Sequence, residues 1–210
     1  ALGYHIIFSA YGFWLPNDPR GSWSDFVGAW DLFRAAGKAT KTDVRHSVAS
    51  KEHDRELRRA GKIALQRPPV KFTGLQARAV GAGFAEYVEK SGLEAWACSI
   101  MPNHVHLVTA PFRMNVENVV IQLKGAATKR LIEEKLHPFG GEHKCWVRGQ
   151  WKVFLNDDAD IRRAIDTWTE SRKGRIETAT LVTPFGREAQ SSEPSAENSP
   201  RSAPQTPPRG

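Results

Sequence analysis

The sequence is poor in two residue types whose scarcity limits its class. Among 210 residues there are only two cysteines, Cys98 and Cys145, and three tyrosines. Two cysteines cannot build a disulfide framework, so we expect a reducing, cytoplasmic environment. No apolar run approaches the roughly 20 residues that cross a bilayer, so no membrane partner is expected. All three tyrosines (Tyr4, Tyr11 and Tyr87) lie in the first half of the chain.

The composition suits one domain with a basic surface. Hydrophobic residues make up 40% of the sequence and include seven Trp and ten Phe, ample for a core. The net charge is +7, and residues 34–71 hold eleven Lys or Arg against four Asp or Glu. Residues 111–175 hold thirteen against nine. Two basic segments suit a phosphate backbone, although either one alone is better explained by a solvated helix face.

Hydrophobic periodicity predicts alternating helices and strands. Strands are predicted over 4–11 and 151–155, and a further strand from Trp96 is interrupted at Pro102 and forms again over 104–109. Helices are predicted over 25–36, 50–66 and 74–90, the last capped by Thr73. Two more follow caps at Asn115 and at residues 156–158. Few strands with helices between them indicate an α+β fold, without fixing the strand directions.

The composition changes near the C-terminal end. Residues 191–210 contain five Pro and five Ser and no large apolar residue, so this segment cannot bury a core. We therefore predict one compact domain over residues 1–185 and a disordered tail over residues 186–210.

The stretch MPNHVHLV, Met101 to Val108, places two histidines two residues apart in a predicted strand. Side chains alternate along a strand, so His104 and His106 share one face and the apolar residues between and after them share the other. Two imidazoles on one face can converge on a single ion or a phosphate. Two partly buried histidines bonded to backbone or water are an equally good interpretation.

Several motifs in order resemble the single-tyrosine HUH transposases, and in particular the REP-associated tyrosine transposases of bacteria. They are YGFWLPNDPRGSW, MPNHVHLV, LKGAATKRL on the next helix, W-x-x-G-x-W-K-V-F-L, and DIRRAI. The resemblance covers residues 4–185. It implies a compact α+β domain with a central antiparallel sheet flanked by helices. It also implies a homodimer that acts on single-stranded or hairpin DNA of a mobile element, at the nucleoid of a bacterial cytoplasm.

The resemblance also implies a chemistry. His104 and His106 would hold a divalent cation, Mg²⁺ or Mn²⁺, that polarises the scissile phosphate. In the family a helix tyrosine then attacks, which leaves a 5′-phosphotyrosine link and a free 3′-OH. The predicted DNA contacts lie off the buried stripe of the helix after the histidine strand and on the Gly-rich loop that follows it: Lys124, Thr128, Lys129, Arg130 and Arg148.

The last predicted helix departs from the family pattern of Tyr, three residues, Asn, Pro. Alignment on RRAI puts Thr167 where the tyrosine is expected and Ser171 where the Asn, a metal ligand, is expected. Glu170 is the nearest carboxylate, so Glu170 and Ser171 are the candidates for a third ligand. Because a threonine hydroxyl is a poor substitute for a phenol, the catalytic residue is unknown and we expect transposition chemistry to be impaired. Attack by Tyr11 or Tyr87 is an alternative.

Other classes of protein remain open. A non-catalytic protein that binds single-stranded or hairpin DNA would need only the basic segments and stacking surfaces such as Trp14, Trp23 and Trp30. A two-histidine phosphoesterase would need a second H-x-[ST] element, which the sequence lacks. A structural zinc site has suitable ligand types but no compact finger spacing; its ligands would be drawn from Cys98, His104, His106, His143 and Cys145.

Overall fold

The computed structural model describes residues 1–18, 27–40, 54–170 and 179–182. Its elements in chain order are β1 (Gly3–Ser9), α1 (Trp30–Ala36), α2 (Arg55–Ile63), α3 (Gly74–Ser91), β2 (Ala95–Ile100), β3 (His104–Thr109), α4 (Val116–Glu133), β4 (Trp151–Leu155), α5 (Asp158–Glu170) and β5 (Ala179–Val182). The predicted tail over residues 186–210 lies outside the described residues, and the predicted domain limits stay a prediction.

The strands form one sheet in the order β4-β1-β3-β2-β5, and every neighbouring pair is antiparallel. The predicted α+β class and the antiparallel sheet flanked by helices are therefore confirmed. Strand β5 was not predicted. None of the helices in the described part of the chain is long and apolar enough to span a membrane.

The two faces of the sheet carry separate apolar clusters. On one face, Ile6 and Phe8 of β1 and Val105 of β3 pack with buried residues of α3 and α4. On the other face, Val108 packs with Ile161 of α5 in a smaller cluster. Strand alternation explains the division, because Val105 and Val108 are three positions apart and point to opposite sides.

Local capping fixes where the helices begin. Thr73 and Gln76 form a reciprocal capping box at α3, and the Asn115 side chain accepts from the backbone N–H of Glu117 at α4. Both predicted caps are confirmed. The predicted start of the first helix at residue 25 is wrong, because residues 27–29 are not helical and α1 begins at Trp30.

The segment around Pro102 reverses direction, which the sequence reading did not predict. Strands β2 and β3 pair antiparallel, with Ile100 opposite Val105, so residues 101–104 make a hairpin turn in place of an interruption within one strand. The backbone N–H of Met101 donates to the carbonyl of His104 at 2.8 Å. The tip is also held from outside, because Ala10 N–H donates to the carbonyl of Asn103 at 2.9 Å. The first histidine therefore follows a tethered turn.

Helices α3 and α4 pack closely at Gly83. A Cβ added there would lie 2.7 Å from the carbonyl oxygen of Ala126 and 2.9 Å from the Cα of Ala127. Both are backbone atoms, so an added methyl group would push the helices apart. Gly125, in the middle of α4, has no such neighbour within 4 Å.

We expect Gly83→Ala to lower the free energy of unfolding by about 1–3 kcal/mol, because overpacking outweighs the helix propensity of alanine. The matched change Gly125→Ala should raise it by about 0.5–1 kcal/mol, because alanine loses less backbone entropy there. Urea unfolding of both variants measures the difference. Equal effects of the two substitutions would contradict the close helix contact.

Candidate functional site

The two histidines of β3 share one face of the sheet. In the antiparallel pair with β1, His104 lies opposite Ser9 and His106 opposite Ile7. The centroids of the two imidazole rings are 4.8 Å apart and their planes are inclined by 75°. The predicted common face is therefore confirmed, and the rings are close enough to contact one small ligand together.

Neighbouring side chains fix the His104 ring on two sides. Its Nδ1 lies 2.8 Å from Oδ1 of Asn103, the residue at the hairpin tip. The Phe13 ring stacks on it with a centroid distance of 4.7 Å and an interplanar angle of 9°. Because an amide oxygen only accepts, Nδ1 of His104 is the protonated nitrogen in this arrangement. That tautomer carries its lone pair on Nε2.

A third imidazole lies beside His106. Nε2 of His5 is 3.0 Å from Nδ1 of His106, and the ring centroids are 5.3 Å apart at 30°. His5 lies opposite Val108 and is two residues from Ile7, so it shares the face of the β3 pair. Sequence reasoning missed His5, because a single histidine in an apolar strand gives no local signal.

Burial keeps two of these imidazoles neutral. Burial, and to a smaller extent the neighbouring His104 and His5, lowers the pKa of His106 to about 2. Burial also lowers the pKa of His5 to about 4. Neutral imidazole is the form that accepts hydrogen bonds and ligates metal ions. The imidazole rings of His5 and His106 are therefore neutral at physiological pH.

The residues present suit part of a divalent-cation site. Within the described residues no group of three or more His, Cys, Asp or Glu side chains is placed to hold a metal ion. A metal-ligating histidine usually engages its other ring nitrogen in a hydrogen bond, and Nδ1 of both His104 and His106 is engaged. Two ligands are therefore compatible with the geometry, and further ligands have to come from elsewhere. The Mg²⁺ or Mn²⁺ prediction stays a prediction.

Helix α5 lies on the face of the sheet that carries the histidines. Its Ile161 packs in one cluster with Val108, the residue opposite His5. Residues 167 and 170 belong to α5, but the structure does not describe their side chains, and Ser171 lies outside the described residues. The ligand roles of Glu170 and Ser171 and the nucleophile position of Thr167 therefore stay predictions.

The alternative tyrosines make contacts of their own. Tyr87 belongs to α3, which packs on the opposite face of the sheet, and its hydroxyl lies 4.0 Å from Sδ of Met114. Tyr11 packs edge-on against Phe139, with the Arg67 guanidinium 5.5 Å from its ring centroid. Neither contact activates the phenol as a nucleophile.

Most of the predicted DNA contacts on α4 are engaged within the protein. The hydroxyl of Thr128 donates to the carbonyl of Lys124 at 2.7 Å. Lys129 lies 3.6 Å from Glu133, and Arg130 pairs with Glu134 at 2.6 Å and with Glu86 at 3.2 Å.

The ammonium group of Lys124 turns inward. It donates to the carbonyls of Val147 at 2.8 Å and Gly149 at 2.7 Å and lies over the Phe8 ring. Burial lowers the pKa of Lys124 to about 8. This lysine holds the loop before β4 against α4. Arg148, between the two bonded carbonyls, is exposed.

A groove of about 990 Å³ adjoins the histidine face. It reaches Ile7 and Ser9, which are the residues opposite His106 and His104. Its walls combine aromatic rings with positively charged side chains: Tyr11, Trp14, Trp146, Trp151, Arg67, Lys144 and Arg148. The acidic residues Asp18 and Glu142 also line it. Of the other predicted stacking tryptophans, Trp30 is exposed and stacks on Phe33 outside this groove, and Trp23 lies outside the described residues.

The zinc alternative is wrong for the described residues. Cys98 lies opposite Leu107, so it points to the α3 and α4 face, away from His106. Cys145 is buried in the same cluster as Cys98, and His143 is exposed on the loop. The five side chains are not brought together, as strand alternation requires once the register is fixed.

Residues 64–153 match the family model described as "Transposase IS200 like". The predicted transposase resemblance is confirmed. The matched segment runs from the end of α2 through the histidine strand and α4 to β4, and it ends before α5. The chain is therefore transposase-like in the part that carries the imidazole pair.

Two solved transposase structures are similar to this chain. The REP-associated tyrosine transposase bound to a REP hairpin has 10% identity and a TM-score of 0.42, over 80% of this chain. The match covers 65% of that structure's chain, less than two thirds of its length. A transposase-like protein of Deinococcus radiodurans R1 has 16% identity and a TM-score of 0.37, over 81% of this chain and 89% of that one. No curated protein matches this sequence.

The buried neutral histidines predict an acid-sensitive fold. In the unfolded chain both titrate near pH 6.5, whereas His5 and His106 in the folded chain resist protonation to about pH 4 and about pH 2. Below pH 6.5 the unfolded state binds more protons, so their stabilisation is complete above that pH and is lost as pH falls. With two such groups, the free energy of unfolding falls by at most about 2.7 kcal/mol for each pH unit of acidification.

Urea unfolding between pH 7.5 and 4.5, with a chelator present, measures this slope. His106→Asn should roughly halve it. An unchanged slope in the His106 variant would contradict the burial of a neutral ring.

Proposed function

We propose that this protein is a transposase-like DNA-binding protein that holds a divalent cation at His104 and His106 and binds single-stranded or hairpin DNA in the adjoining groove. We propose further that tyrosine-dependent strand cleavage is impaired. The observation that carries the proposal is the pair of imidazoles on one face of the sheet, within the segment that matches the transposase family.

The histidine environment supports the metal part of the proposal. Asn103 accepts from Nδ1 of His104, which orients Nε2 as the ligand nitrogen, and Phe13 holds the ring in plane. A divalent cation bound there would polarise a phosphate oxygen and stabilise the charge that a phosphodiester gathers during cleavage. The remaining ligands would come from water, DNA or α5, where Glu170 and Ser171 are the candidates.

The groove supports the DNA part of the proposal. Single-stranded nucleic acid is held by aromatic platforms on which bases stack and by cations along the backbone. Trp14 and Trp151 supply rings, and Arg67, Lys144 and Arg148 supply charge, all on walls that reach the histidine face. A strand in this groove would therefore bring its backbone to the imidazole pair. The homodimer and the nucleoid location stay predictions.

The sequence of α5 supports the impairment. Thr167 stands where the family has its tyrosine, and no tyrosine follows Tyr87. An aliphatic hydroxyl has a far higher pKa than a phenol and needs a strong neighbouring base to attack phosphorus. A non-catalytic DNA-binding role is therefore the second candidate, and it keeps the same groove and the same imidazole pair.

Restoring the phenol tests the alignment and the chemistry together. With Mn²⁺ and 3′-labelled DNA hairpins that carry randomised single-stranded flanks, we expect the wild type to form no covalent adduct on a denaturing gel. The double variant Thr167→Tyr with Ser171→Asn should form one, and adding His104→Ala to it should abolish the adduct. A wild-type adduct would overturn the impairment, and an inactive double variant would contradict the assigned positions.

Replacing one groove cation tests where DNA binds. Arg148→Ala should weaken binding of the same hairpin pool and reduce the slope of log affinity against log salt by about 0.7, the value for one lost contact to a single strand. The control Arg78→Ala removes an exposed arginine of α3 that does not line the groove. Equal losses in both variants would argue for diffuse attraction and against this groove.

A further inference from the structure

His5 and His106 share one hydrogen bond between ring nitrogens. Nε2 of His5 lies 3.0 Å from Nδ1 of His106, and the rings are close to parallel at 30°. The two residues are 101 positions apart in sequence and meet because β1 and β3 pair antiparallel. Their relative position is therefore a property of the sheet register and does not depend on a flexible loop.

One proton serves this contact, and its position decides what His106 can do. If His5 donates, Nδ1 of His106 accepts and its hydrogen is on Nε2. If His106 donates from Nδ1, its Nε2 carries a lone pair. Only the second arrangement makes His106 a ligand through Nε2, which is the pattern that Asn103 imposes on His104.

We infer that His5 is a positioning residue for His106. Its Nε2 accepts the Nδ1 proton of His106 and so holds the tautomer and ring orientation that present Nε2 to a divalent cation. This inference rests on the proposed metal site and adds to it a residue outside the His104 and His106 motif. His5 itself is not a ligand in this arrangement, because the nitrogen nearest to the pair is occupied by the hydrogen bond.

Packing supports a fixed ring at His5. The residue lies on the second strand of the sheet, between β3 and β4, opposite Val108 on one side and Val153 on the other. Cross-strand neighbours on one face lie close together, and valine side chains offer the imidazole no acceptor. These two neighbours therefore do not compete with His106 for the His5 ring.

The tautomer can be read in the metal-free protein. In protein labelled with ¹⁵N-histidine, long-range proton–nitrogen spectra should show His106 protonated at Nδ1 and unprotonated at Nε2, with His106→Ala identifying the signal. His5→Phe should shift the proton towards Nε2. His5→Gln should restore the wild-type pattern, because its amide oxygen accepts a hydrogen bond. An unchanged His106 tautomer in His5→Phe would overturn the inference.

Cation affinity gives the second readout. Calorimetric titration with Mn²⁺ should show a loss of about 10–100-fold in His5→Phe and a smaller loss in His5→Gln, as for other groups that orient a ligand. His143→Phe, which changes an exposed ring, should bind as the wild type does. Spin-echo spectra of bound Mn²⁺ should show two imidazole nitrogens, and three would make His5 a ligand and overturn its positioning role.

The two proposals fail differently. If the wild type binds no Mn²⁺, the proposed metal site is wrong, and the tautomer spectra still decide whether His5 orients His106. If the wild type binds Mn²⁺ and His5→Phe binds it equally well, the metal site stands and the role of His5 is wrong.

Discussion

The antiparallel register between β1 and β3 is the constraint on which the site depends. It places Ser9 and Ile7 opposite His104 and His106 and brings His5 within hydrogen-bonding distance of the second ring. A slip of one residue would turn every side chain of one strand to the other face. The apolar residues of the same strands oppose such a slip, because Ile6, Phe8 and Val105 would then leave the larger core. The apolar packing on one face of the sheet thus fixes the positions of the histidines on the other face.

Polar groups near the site are oriented by the backbone and by each other. Asn103 is held at a hairpin tip whose carbonyl accepts from Ala10, and its side chain fixes one imidazole. The ammonium group of Lys124 donates hydrogen bonds to two backbone carbonyls of the loop before β4. That loop carries Arg148, which lines the groove together with Trp151 at the start of β4. Lys124 therefore supports the loop whose Arg148 faces the groove, and its predicted contact with DNA stays a prediction.

Local signals in the sequence were enough for most of the elements and for the histidine pair, but not for β5. The caps at Thr73 and Asn115 depend on residues three or fewer positions away, and the common face of His104 and His106 follows from strand alternation. Contacts between distant segments were out of reach. The proposed role of His5 depends on its contact with His106, which is 101 positions away in the sequence. The reversal of chain direction at Pro102 was missed. Proline lacks a backbone N–H, and that absence fits a turn as well as an interruption within one strand.

The division of the apolar residues between the two faces of the sheet affects which substitutions this domain tolerates during evolution. The larger cluster, with α3 and α4, lies on the side away from the imidazoles, whereas α5 packs on a small separate cluster around Ile161. Mutations at polar positions of α5 therefore leave most of the folding free energy intact. Selection for a folded protein alone would therefore not preserve the polar side chains of that helix.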